Sequence, residues 1–274
     1  TWRGMAAREH SRQLNLEVWV VHFTVCFVLS ERPWKIEAVM FLVIGLFIAI
    51  AIGGLAVQVV EKFGADIPTG PRQFMETVLL TTSYQGLGFL LVTLFLWLQK
   101  IPWRDAFGLR SGPFSRVVLL GVTAGLIVLP LAWGLQEFSA YLFTYFEVQT
   151  APQEIIQKLQ SGTEAPSHQL YLFVVAVLVA PVIEEILFRG IFYPTIKQLG
   201  FRRLAFWGTS IVFAAIHNNK QAFLPLLFFA AILTLLYEET DNLLTPIIAH
   251  STFNAANFLL LIFKDRIMDL FKAF

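Results

Sequence analysis

Long apolar runs separated by short polar turns set the pattern of the chain. A helix needs about 20 mostly apolar residues to cross the hydrocarbon core of a membrane. Three runs meet this in the first half: Ala38 to Val60, Thr77 to Leu98, and Val117 to about Phe146, the last with Pro130 as a point of tilt or kink. A polar, amphipathic stretch follows from Pro152 to His168. Four more runs complete the series: Gln169 to about Leu199, Arg202 to His217, Ala222 to Tyr237, and Leu243 to Phe263. The pattern predicts an all-α integral membrane protein with seven crossings, or eight if the short apolar run from Val18 to Leu29 also inserts.

No internal repeat, low-complexity tract or long polar linker divides the chain. Its organisation reads as a basic N-terminal segment over residues 1–37, cytoplasmic or interfacial, then transmembrane helices and a polar loop over 38–168, then a helical core over 169–274. Arg3, Arg8 and Arg12 ahead of the Val18 run resemble a signal peptide. No small-x-small cleavage site follows, so an interfacial or partly inserted segment is expected.

Composition sharpens the class. Hydrophobic residues make up 57% and charged residues 14% of the chain, with a mean hydropathy of +0.67, well to the apolar side of soluble domains. A formal net charge of +1 points to no nucleic-acid partner. Cys26, the single cysteine, excludes an intrachain disulfide framework and a cysteine-based zinc site. With the N-terminus inside, Arg32, Lys35, Lys100, Arg104, Arg110, Arg116, Lys197, Arg202 and Arg203 all fall on the cytoplasmic face, as the positive-inside rule requires. The tail residues Lys264, Arg266 and Lys272 fall on the other side, diluted by Asp265 and Asp269.

Three apolar runs carry ionisable or amide side chains. Such groups cost several kcal/mol at the middle of a membrane, so they face a protein interior or a wet cavity. The first run reads APVIEEILFRG with Glu184, Glu185 and Arg189, the second ends in FAAIHN with His217, and the third reads IIAHSTFNAAN with His250 and Asn254. Glu185 and Arg189 are four apart and share a helix face, whereas Glu184 is turned about 100° away and left for another task. His250 and Asn254 likewise share a face.

Depth tests whether these groups can meet. If the glutamate helix continues to Leu199 and turns at Gly200, Glu184 and His217 both lie roughly 25 Å from that turn, on adjacent antiparallel helices. Taken singly, the Glu185–Arg189 pair reads equally well as a structural bridge, and His250 as a core histidine. Two carboxylates, two histidines and a carboxamide in three successive helices read as a site. Glu238 and Glu239 in YEETDN read as a solvated turn, and His10, His22 and His168 as histidines without companions.

A glutamate beside a histidine in a partly dry cavity can take a proton from water, and a histidine with an asparagine can donate to a developing oxyanion. No Gly-x-Ser-x-Gly is present, so a water nucleophile is favoured over a covalent one. A divalent metal such as zinc is the alternative activator, but the His-Glu-x-x-His spacing is absent; no cofactor is expected.

EEILFR, FAAIH from Phe213 to His217, and HSTFN from His250 to Asn254 resemble, in order, the three motifs of the CPBP family of intramembrane proteases: the CAAX prenyl proteases and bacteriocin-processing enzymes, also called the ABI family. FGLR at Phe107 to Arg110 resembles a segment seen upstream in bacterial members. The resemblance covers about Gln169 to Phe263. It implies a multi-helix protease core with a cavity open to the cytoplasm, Glu184 as general base, His217 holding the water, His250 and Asn254 on the oxyanion, and Glu185, Arg189 and Phe213 in support. It also implies a bacterial inner membrane, the lipid bilayer as surroundings and a membrane-associated peptide or protein substrate, prenylated or not. Two other classes stand beside it: a non-proteolytic scaffold, immunity factor or accessory subunit of a larger membrane complex with the same fold, and a transporter using the carboxylates as a proton relay.

Overall fold

The computed structural model describes residues 29–32, 34–148 and 165–272, with side chains placed through residue 263. The expectations for the Val18 run and for most of the Pro152–His168 stretch therefore lie outside the described residues. Among the described residues eight helices follow one another: α1 Ile36–Phe63, α2 Thr69–Gln99, the short α3 Trp103–Ala106, α4 Phe114–Tyr145, α5 Pro166–Gln198, α6 Arg202–Ile216, α7 Phe223–Thr240 and α8 Leu244–Lys272. No strand is present among the described residues. The protein is an all-α membrane protein: six of these helices are long and apolar enough to cross a bilayer.

Against the expected seven or eight crossings, the run not among these six within the described residues is Arg202 to His217. The run from Arg202 to His217 forms a helix, but its 15 residues span only about 22 Å at 1.5 Å per residue, short of the roughly 30 Å hydrocarbon layer. Two arginines also open its first turn. α6 packs between α5 and α7.

Each long helix keeps one apolar stripe for its neighbours and presents the rest outward: Phe41, Leu90, Trp97 and Ile127 are among many large apolar side chains left exposed, as lipid-facing surface must be. α4 packs along α8 through Gly121 and Gly125. A Cβ at Gly125 would lie 2.5 Å from the Ala249 carbonyl oxygen, and one at Gly121 would lie 2.9 Å from that of Thr245. This is the small-xxx-small contact by which membrane helices bring their backbones together, and it seats the part of α8 that carries His250. The main apolar core, including Leu46, Phe95, Ile183, Leu187 and Ile191, joins α1, α2 and α5; a second one, around Phe229, Leu233 and Phe253, joins α4, α7 and α8.

α5 is interrupted twice by π-helical turns, at Val175–Val179 and Ile186–Phe192. Each precedes a proline, Pro181 or Pro194, which brings no N–H to the carbonyls before it. Side chains from distant segments answer the gaps. Asn254 Nδ2 donates to the Ala176 carbonyl at 2.8 Å, and Trp34 Nε1 donates to the Gly190 carbonyl at 3.1 Å.

The segment before α1 lies over the core near the α7–α8 turn. Leu29 N donates to Glu238 Oε2 at 3.3 Å, and Arg32 pairs with Asp241 at 2.5 Å. The FGLR stretch closes the same corner. Phe107 is buried and its carbonyl accepts from Leu243 N at 3.1 Å. Gly108 has φ +64° and lies so close to the Asp241 carbonyl oxygen that any Cβ would come within 1.8 Å of it. Only glycine fits there on both counts.

Candidate active site

The acidic pair sits where α5 passes from a single α-helical segment, Ala180–Glu185, into the second π-helical turn. Glu184 and Glu185, adjacent in sequence, point to different neighbours. Glu185 is fully buried, and its Oε1 accepts from Arg189 Nη1 and from His250 Nδ1, each at 2.9 Å. Glu184 Oε2 stands 4.0 Å from His217 Nε2 and 3.8 Å from His250 Nε2. α5 runs to Gln198 and the chain turns at Gly200, with φ +91°, which brings Glu184 and His217 to one level on adjacent helices.

The two histidines are held in defined tautomers. The Phe213 carbonyl, 2.7 Å from His217 Nδ1, can only accept, so Nδ1 carries the proton and Nε2 turns its lone pair toward Glu184. The Phe-x-x-x-His spacing has this physical meaning: the carbonyl one turn back orients the imidazole. His250 Nδ1–H likewise donates to Glu185, leaving Nε2 on the Glu184 side. Gaps near 4 Å are too long for direct hydrogen bonds and match a water held between the partners.

Phe213 is the apolar floor of the site. It is fully buried, carries the Arg189 guanidinium 4.7 Å above its ring, and meets the His217 and His250 rings at 4.8 and 5.7 Å. Arg189 ties α5 to α7, donating to the Ala230 carbonyl at 2.8 Å and to Thr234 Oγ1 at 3.4 Å. A buried arginine with an opposing carboxylate, a carbonyl and an aromatic face is satisfied in the way its burial demands.

Two polar residues have partners that the sequence did not indicate. Asn254, expected beside His250 on an oxyanion, has its amide nitrogen on the Ala176 carbonyl. Glu238, expected in a solvated turn, is 1% exposed inside α7, because α7 continues to Thr240 before Asp241 turns the chain with φ +47°. Glu238 accepts from Lys197 Nζ at 2.5 Å and from the Tyr193 hydroxyl. Glu185, Arg189, Tyr193 and Lys197 thus form a polar ladder at spacing four on α5, facing Ala230, Thr234 and Glu238 at the same spacing on α7. That shared period was the signal in the sequence. His168 also has a companion: its ring stacks on Phe74 at 3.8 Å.

Glu184 and His217 open onto a cavity of about 740 Å³ between α1, α2, α5 and α6. Its wall is almost wholly apolar, with Val39, Leu46, Ile50, Leu187 and Phe192 among its residues. Along α1 it reaches from Val39 to Ile50, about 16 Å. Among the described residues no three His, Cys, Asp or Glu side chains are grouped to hold a metal ion. His250 Nδ1 and His217 Nδ1 are both already engaged.

Residues 166–256 match the family model of the type II CAAX prenyl endopeptidases, Rce1-like. This region is an Rce1-like domain. It spans α5, α6, α7 and the first half of α8, and so contains Glu184, Glu185, Arg189, Phe213, His217, His250 and Asn254. The match likens this region to a family of membrane proteases that act on peptides. No curated protein and no solved structure gave a match.

Proposed function

We propose that the protein is an intramembrane endopeptidase of CAAX-protease type, in which Glu184 activates a water molecule to hydrolyse a peptide bond of a membrane-associated substrate, without a metal. The observation that supports it most is the position of Glu184, at the polar end of an otherwise apolar cavity and about 4 Å from two imidazole nitrogens.

In this reading one water lies between Glu184 and His217. Its two hydrogens point to Glu184 Oε2 and His217 Nε2, which leaves an oxygen lone pair for the carbonyl carbon. As the C–O bond forms, the proton passes to Glu184. His250, held by its Nδ1–H on Glu185, donates from Nε2 to the oxyanion when the ring carries a second proton. Collapse breaks the C–N bond and the proton returns from Glu184 to the leaving nitrogen. The apolar wall takes the lipid-like or apolar portion of the substrate, and with α1 entering from the cytoplasmic side the cavity opens toward the cytoplasm.

The test is cleavage of internally quenched peptides, farnesylated and unmodified, by the detergent-solubilised protein. Wild type is expected to cut, and Glu184→Gln to lose cleavage at unchanged expression and melting temperature. Retained cleavage in Glu184→Gln, or recovery of an inert wild type bound stoichiometrically to other membrane subunits, would overturn the reading in favour of a scaffold or accessory subunit.

A further inference from the structure

Tyr84 lies on the wall of the same cavity, outside the Rce1-like domain, and takes no part in the arrangement described so far. It sits in a π-helical turn, Thr82–Gly86, at the middle of α2, where Leu87 N–H reaches back to the Thr82 carbonyl. Such turns are frequent at functional sites because they re-aim side chains at the expense of regular helix. Here the turn presses Ser83 onto α1, where a Cβ at Gly53 would lie 2.7 Å from Ser83 Cβ, and leaves Tyr84 on the cavity wall.

The register of α2 against α5 sets the distance to the acidic pair. The Thr81 and Tyr171 hydroxyls are hydrogen-bonded, and Gly88 faces Ile183, so the two helices run side by side in the same direction. Tyr84 stands one turn before Gly88, and Glu184 one residue after Ile183. Their backbones are therefore offset by about 8 Å along the helices. Both side chains line the one cavity, Tyr84 from α2 and Glu184 from α5. Among the described residues the Tyr84 hydroxyl has no hydrogen-bond partner, and Glu184 is a charge within its electrostatic reach.

An attacked carbonyl needs donors, and beyond His250 Nε2 and the Ser83 hydroxyl, which the turn presses against α1, the cavity offers few. Glu184 only accepts, and His217 Nε2 faces it as an acceptor. The Thr195 and Thr209 hydroxyls, also on the wall, donate to the Ile191 and Ala205 carbonyls of their own helices. The Asn254 amide is on Ala176. We propose that Tyr84 is a further catalytic residue whose phenol donates a hydrogen bond to the scissile carbonyl oxygen and to the oxyanion formed there. The proposal rests on the reading of Glu184 as the water-activating base. The phenol keeps its proton throughout: water supplies the new C–O bond, the carbonyl electron pair moves to oxygen under the Tyr84 O–H, and Glu184 carries the proton from water to the leaving nitrogen.

The experiment compares wild type, Tyr84→Phe and Glu184→Gln on the same quenched farnesylated and unmodified peptides, with melting temperatures taken in detergent. Tyr84→Phe keeps the ring and removes the donor. Its kcat is expected to fall about 10²- to 10³-fold, as for loss of one oxyanion donor, with KM and melting temperature little changed. Wild-type kcat in Tyr84→Phe beside a dead Glu184→Gln overturns this assignment alone, and so does a rise confined to KM. Cleavage that survives in Glu184→Gln, or a wild type that cuts none of the peptides, overturns the protease reading and this inference with it.

Discussion

His250 Nδ1 lies 2.9 Å from Glu185 Oε1, the same oxygen that receives Arg189. The carboxylate that helical spacing pairs with arginine therefore also holds a histidine from a helix 65 residues further along the chain. Glu184 is left facing the opposite nitrogen of that histidine. The two glutamates divide the work: Glu185 fixes an imidazole, and Glu184 faces the cavity.

Removing one member of the buried pair leaves the other charge uncompensated. Arg189→Met is expected to destabilise the protein by about 3–5 kcal/mol, and adding Glu185→Gln to recover part of that loss. Thermal unfolding of both variants in detergent checks this. A double variant no more stable than Arg189→Met would refute the coupling.

Asn254→Leu deprives the Ala176 carbonyl of its donor. The expected cost is about 1–3 kcal/mol, as for a buried polar group left unsatisfied, with residual cleavage well above that of Glu184→Gln. A melting curve and a kcat measurement on the same preparation separate this anchoring role from a direct part in the chemistry, which would bring kcat down to the Glu184→Gln level with the melting temperature intact.

In the proposed mechanism, His217→Ala removes the lone pair that orients the water. Its kcat is expected to drop about 10²- to 10⁴-fold, with little change in stability because the side chain is partly open to the cavity. A chelator such as phenanthroline is expected to leave wild-type turnover unchanged. Inhibition reversed by added zinc would transfer the activating role to a metal.

Gly125→Val introduces a side chain where the first carbon already meets the Ala249 carbonyl. Because Ala249 precedes His250, the variant is expected to push α8 away, lower the melting temperature and reduce cleavage together. Gly134→Ala, with open space around it, is the matching control and is expected to change neither.

Much of this was legible from pattern. Apolar runs marked the six long helices, although α2 begins eight residues before its run and α8 ends nine after, and polar interruptions marked Glu185, Arg189, His217 and His250 around Glu184. Spacing alone could not show the Glu185–His250 bond, since the partners lie on separate helices and their approach depends on the Gly121–Gly125 seam. Nor could it show the π-helical turns of α5, which follow from prolines combined with donors supplied by Trp34 and Asn254. Glu238 was misread because a cluster of acidic and polar residues at the end of an apolar run resembles a turn. Its partners on α5, Tyr193 and Lys197, become apparent only when two helices are laid side by side. Tyr84 had no signal beyond a polar triplet inside an apolar run.

The prolines of α5 have a consequence for how self-sufficient the Rce1-like domain is. Its helix lacks two hydrogen-bond donors of its own. Asn254 lies within the matched residues, but Trp34 stands more than 130 positions ahead of them. A fragment trimmed to residues 166–256 would keep every motif while leaving the Gly190 carbonyl, next to Arg189, without its indole. The first of the motifs sits on a helix that a segment far upstream completes.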